Sequence, residues 1–78
     1  MPTVLILEGF RFHFYSDEGN EPCHIHIKKG DGRGKIWLLP TFEEDYYYEF
    51  TEQEKKKIRK IVEEHYEFFI EKWNEYFK

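Results

Sequence analysis

The sequence predicts an α+β fold, a four-stranded antiparallel meander packed on one long C-terminal helix. Three observations predict it. Phe10, Phe12 and Phe14 recur at period two, the spacing at which strand side chains share a face. Gly30-Asp31-Gly32 separates two further runs and reads as a hairpin turn. After Thr51 the period lengthens: Ile58, Ile61, Val62, His65, Tyr66, Phe69, Trp73 and Tyr76 fall within one arc at 100° per residue.

Val4 to Leu7 is a short apolar run within a first strand of about 3–7, and Pro2 suits its start. Glu8-Gly9 turns the chain into a second strand, about 10–16, with Arg11, His13 and Tyr15 on the face opposite the phenylalanines. Ser16 to Pro22 holds Asp, Gly, Asn and Pro and reads as a loop. A third strand, about 23–29, gives Ile25 and Ile27 to one side and His24 and His26 to the other. An Asp31-Gly32 turn leads to the fourth strand, about 35–39, ended by Pro40. Residues 41–50 are ambiguous between a surface loop, a short strand at 46–48, and a tyrosine cover on the core. Thr51-Glu52-Gln53-Glu54 is a capping box opening a helix of about 52–77. The sheet side of the core is then Phe10, Phe12, Phe14, Ile25, Ile27, Ile36 and Leu38.

Seventy-eight residues suffice for one domain, and the 21% aromatic content lets so short a chain bury a large apolar area per residue. A net charge of −4 gives no average attraction for nucleic acid, but the charge is uneven. Lys28 to Lys35 carries four bases against one acid, and Lys55 to Lys60 carries five bases and no acid. Cys23 is the single cysteine, so no intramolecular disulfide forms. It is expected to be a small buried hydrophobe rather than a nucleophile. No apolar run approaches the length of a membrane span and no signal peptide is seen, so a cytoplasmic protein with no membrane association is expected.

Register brings the polar side chains together. Pairing Ser16 with Cys23 sets Tyr15 against His24, His13 against His26 and Arg11 against Lys28. An Asp31-Gly32 turn sets Lys35 against Lys28, Trp37 against His26 and Leu39 against His24. Both registers keep every Phe and Ile on the core side. The result is an open face carrying Arg11, His13, Tyr15, His24, His26, Lys28, Lys35 and Trp37.

That face supports three chemistries. His24 and His26, with His13 opposite, are candidate ligands for zinc or another divalent metal, although the neighbouring cations oppose one, and no cofactor is favoured. His24, His26 and His13 are also candidate acid–base groups for RNA cleavage. A pair of imidazoles can hold one neutral and one protonated ring near pH 7. Arg11, Lys28 and Lys35 would then hold phosphate, while Tyr15 and Trp37 stack bases. The third is protein docking on a mixed aromatic and charged face. A homodimer is a further open assembly. His65, on the helix's apolar arc, is expected to be a hydrogen-bonded core histidine and not a fellow ligand.

Met1-Pro2-Thr3, Gly9-Phe10-Arg11-Phe12 with Phe14-Tyr15-Ser16, Glu21-Pro22-Cys23-His24-Ile25-His26, and Gly32 through Leu38 resemble a small prokaryotic family of unknown function. Its hallmark is a Pro-Pro-His-x-His motif after a Phe/Tyr-rich strand, and the resemblance runs over nearly the whole chain, including a late helical Trp. Some members are described as DhiT-type toxins of type II toxin–antitoxin pairs. The resemblance therefore implies a toxin-like role with an antitoxin encoded nearby, and it carries over to Arg11, Pro22, His24 and His26. Cys23 stands where the family usually has a second proline, which frees the backbone angle before His24.

Overall fold

The computed structural model describes residues 3–77. The expectation that Pro2 marks the first strand's start falls outside them. The elements are β1 (Thr3–Leu7), β2 (Phe10–His13), β3 (His24–Lys29), β4 (Gly32–Trp37), β5 (Glu43–Tyr48), α1 (Glu52–Glu64) and α2 (Tyr66–Tyr76). The sheet is an antiparallel meander in the order β1-β2-β3-β4-β5. The class is the α+β one expected, with five strands in place of four and two helices in place of one.

Phe10, Phe12, Phe14, Ile25, Ile27, Ile36 and Leu38 are all buried, as their spacing requires, and meet Ile58, Ile61, Val62, Phe69 and Trp73 from the helices. Phe12 packs on Phe69 with ring centroids 5.4 Å apart, and Phe14 packs edge-on to Trp73 at 5.2 Å. Burying side chains of this size contributes about 1.5–3 kcal/mol each. The core accounts for most of the fold's stability.

Two registers were anticipated, and one stands. β2 pairs with β3 as Arg11↔Lys28, Phe12↔Ile27 and His13↔His26. β2 stops at His13, however, so Tyr15 pairs with no strand residue and folds onto His26 instead, 4.5 Å between rings. β3 pairs with β4 two residues away from the expectation: His24↔Trp37, His26↔Lys35 and Lys28↔Arg33. The turn is Gly30-Asp31, not Asp31-Gly32. Gly30 takes the positive φ of 59° while Asp31 does not, the pattern of a turn with glycine in its first central position. Gly32 belongs to the strand, where a Cβ would run into the Phe50 ring. A slip of two leaves every side chain on its expected face, so the core pattern could not reveal it.

β5 fills the ambiguous stretch. Its bulge at Asp45, between the pairs Lys35↔Tyr46 and Ile36↔Glu44, breaks the alternation that would have announced a strand. The capping box at Thr51 and Glu54 is formed in both directions. The helix is interrupted at His65, which has φ −111° and ψ 21°. Its ring Nδ1 lies 3.0 Å from the Ile61 carbonyl that already accepts the His65 amide. A side chain competing for a helical carbonyl is a recognised cause of bending. His65 is therefore hydrogen-bonded as expected, but half-buried at a helix junction rather than inside the core.

Candidate functional site: a histidine and cation face

The face opposite the phenylalanines is organised in rows set by strand pairing. Arg11, Lys28 and Arg33 stand abreast on β2, β3 and β4. The next row is His13, His26, Lys35 and Tyr46, ending on β5. The third is His24, Trp37 and Glu43.

These rows differ in exposure, and the face is not open throughout. His13 is 2% exposed, His24 0% and His26 6%. The Ser16–Pro22 loop supplies the cover. From it Glu18 reaches back so that one carboxylate oxygen, Oε1, lies 2.8 Å from Nε2 of His24 and 2.8 Å from Nε2 of His26. Trp37 and Trp73 close over His24, their rings 5.1 and 4.9 Å from the imidazole. The Leu38 and Leu39 amides donate to the Cys23 carbonyl at 2.8 and 3.3 Å, which anchors the chain just before His24. Cys23 is itself buried, and burial pushes its thiol up to about 12, so it has no nucleophilic character.

His24 has acceptors on both sides. Nδ1 lies 2.9 Å from the Pro22 carbonyl and Nε2 faces Glu18. A carbonyl only accepts, so Nδ1 carries a hydrogen. The Nε2 contact is then satisfied by a second proton, or by something else on that nitrogen. Burial alone pushes the Glu18 carboxyl up, but hydrogen bonds from His24 and His26 outweigh it and hold the carboxyl below its ordinary value. Burial lowers His26 below 6.5, against the pull of Glu18. Burial, with His26 and Arg11 beside it, pushes His13 down to about 4. Both His13 nitrogens are buried without a hydrogen-bond partner among the described residues. Leaving such a group unpaired costs about 1–3 kcal/mol.

Beside this closed end lies an open one. A cleft of about 220 Å³ is lined by Arg11, His13, Tyr15, His26, Lys28, Arg33 and Tyr46. Among the described residues no carboxylate pairs with Arg11, Lys28 or Arg33. Like charges directly opposite each other on neighbouring strands are destabilising by a few tenths to about 1 kcal/mol per pair. Two such pairs in one row form a surface that a bound anion would relieve.

Of the residues singled out from the sequence, the cleft brings together Arg11, His13, Tyr15, His26 and Lys28. It leaves out three. His24 is enclosed, with both nitrogens engaged. Lys35 is 2.9 Å from the Glu21 carboxylate and lies over the Trp37 ring at 4.1 Å, so its charge is already matched. Trp37 belongs instead to a shallow depression with Pro22, Leu39 and Pro40. Sequence reasoning missed Glu18, Arg33, Tyr46 and Trp73. The correct hairpin register would have found Arg33 and the strand reading of β5 would have found Tyr46. For Glu18 the signal was an acid in the loop that returns to two adjacent imidazoles in need of an acceptor.

No helix among the described residues is long and apolar enough to cross a membrane. No curated protein and no solved structure matches the chain. A family model described as Domain of unknown function (DUF4160) matches residues 9–74, from the first turn through β5 and both helices nearly to the end of α2. The chain belongs to the DUF4160 family.

Proposed function

We propose that this protein is a toxin-like component of a prokaryotic toxin–antitoxin pair that grips RNA by its phosphodiester backbone and cleaves it. The observation that carries the reading is the row Arg11–Lys28–Arg33, three cations abreast with no carboxylate partner among the described residues, in a cleft that also holds His26 and His13. Guanidinium and ammonium groups so placed suit the non-bridging oxygens of a phosphate and the charge that builds on them during displacement. Tyr15 and Tyr46 flank the cleft and offer rings for base stacking.

His26 is the base in this reading. Glu18 accepts from Nε2–H, which orients the ring and leaves the lone pair on Nδ1 for the ribose 2′-hydroxyl. The 2′-oxygen then bonds to phosphorus, the bond to the 5′-oxygen breaks, and that oxygen takes its proton from solvent at the cleft mouth. Burial leaves both His13 and His26 below 6.5, so the earlier expectation of one neutral and one protonated ring gives way to two neutral rings at pH 7. His24 acts as a positioning residue through Glu18 and not on the substrate. The toxin role and its nearby antitoxin rest on the family resemblance of the HisxHis segment.

The test uses a single-stranded RNA oligonucleotide and the variant Arg11→Ala, Lys28→Ala, Arg33→Ala. Binding is expected to weaken, and the slope of log affinity against log salt to flatten by about 2, the loss of three contacts at roughly 0.7 each. His26→Ala is expected to bind RNA but not cut it, and not to arrest growth on expression. RNA affinity indifferent to the triple variant, or undiminished growth arrest by His26→Ala, would sink the reading.

A further inference from the structure

Glu18, His24 and His26 converge on one point. Each of the three offers a ligand atom within 4.8 Å of the other two, and Oε1 of Glu18 stands 2.8 Å from both Nε2 atoms. Two imidazoles and a carboxylate are a ligand set for a borderline divalent ion and leave a fourth position for water. The surroundings match. Nδ1–H of His24 donates to the Pro22 carbonyl, the outer hydrogen bond that fixes the tautomer of a ligating histidine and aims Nε2 at an ion. An ion on that nitrogen also resolves the facing of its lone pair by a carboxylate. His24 is fully buried under two tryptophans, which keeps competing water away. The cations that weighed against a metal are dealt with: Lys35 is held by Glu21, and Arg11, Lys28 and Arg33 point into the neighbouring cleft.

We infer that Glu18, His24 and His26 form a binding site for one divalent transition-metal ion of the zinc type. The fit needs a small opening. Ligands about 2.0–2.1 Å from a tetrahedral ion stand roughly 3.3 Å apart, against the 2.8 Å between Glu18 and each histidine now. About half an ångström of movement by a loop carboxylate opens both of these contacts. Glu18 is the ligand free to move, with its side chain 18% exposed, while the two histidines are held on β3. His13, the ligand expected from the sequence, is not in the set. Its ring stacks on His26 at 5.7 Å and stands behind it.

The two roles are exclusive states of His26, since an ion on Nε2 leaves the ring hydrogen on Nδ1 and removes the lone pair that the RNA reading uses as base. The site is measured without RNA, so either can fail alone. The experiment is calorimetric titration of zinc into untagged full-length protein freed of metal with chelator. One ion per chain is expected. Glu18→Gln and His26→Gln should each cut affinity at least tenfold, whereas His65→Gln, which removes the histidine at the helix junction, should leave it unchanged. Two variants are used so that misfolding of one leaves the other to decide, with folding checked by circular dichroism. Cobalt(II) in place of zinc should give visible absorption bands that Glu18→Gln abolishes. No uptake, uptake insensitive to both ligand variants, or uptake lost with His65→Gln overturns the site.

Discussion

His24 and Lys28 lie four residues apart on the same strand and the same face, yet they live in opposite surroundings. His24 is enclosed by Glu18, Trp37 and Trp73, with both nitrogens engaged. Lys28 is exposed between two other cations. Strand alternation decides which face a side chain takes. Whether that face is dry or wet is decided by what other elements lay over it, here a loop and the end of a helix. The closed end therefore has the makings of a fixed structural or metal centre, and the open end those of a surface for an anionic partner. His26 and His13 stand at the border and line the cleft while remaining almost buried.

The comparison is broken most forcefully by His24→Ala. It leaves a void between two tryptophans and removes both hydrogen bonds, so a loss of about 3 kcal/mol or more is expected on chemical denaturation. A loss under about 1 kcal/mol would mean that the closed end is not closed in solution. The border is tested next, by acid. His13 has its pKa pushed down to about 4 in the folded protein, while the unfolded chain binds its proton near 6.5. Between those values the unfolded state carries the extra proton, so stability is full above pH 6.5 and falls as pH drops towards 4. The fall attributable to His13 is up to about 3 kcal/mol. His13→Phe should remove that part of the slope, and a pH profile unchanged by the substitution would show that the ring is solvated.

How much of this was legible in the sequence follows from what period two can encode. The faces of β2 and β3 were readable because three phenylalanines and two isoleucines admit no other burial, while their mutual register came from pairing Ser16 with Cys23 across the loop. The β3–β4 register was not, since Gly30-Asp31 and Asp31-Gly32 are both acceptable turns and differ by a slip of two that preserves every face. β5 was hidden by its bulge and by Glu43, Glu44 and Asp45, which look like loop residues and are tolerable on an edge strand. The break at His65 has neither glycine nor proline to signal it. Glu18 belongs to a different category. Its place is a tertiary contact six and eight residues along the chain, and no local pattern states where a loop side chain will land. The candidate cleft was accordingly half visible: five of the residues named from the sequence line it, but the assumption of a uniformly open face placed His24, Lys35 and Trp37 in it as well.

The smallest effect expected is also the one with the least usual sign. Lys28 has a cation on each side in the row, and its own hydrogen bond is an exposed one to the Gly30 carbonyl. Surface lysines of this kind contribute little to folding. Removing the middle charge relieves two like-charge contacts, so Lys28→Ala should stabilise the protein by a few tenths to about 1 kcal/mol at low ionic strength. The gain should shrink as salt screens the row, because the effect is electrostatic and acts at an exposed surface. Thermal denaturation of parent and variant at two salt concentrations reads both features. The same variant should bind RNA less well, and a stabilising loss of a side chain that binding requires is the trade-off expected where a charge is retained for function. If Lys28→Ala proved destabilising at every salt concentration, the row would be a favourable part of the fold, and the case for an anion as its missing partner would lapse.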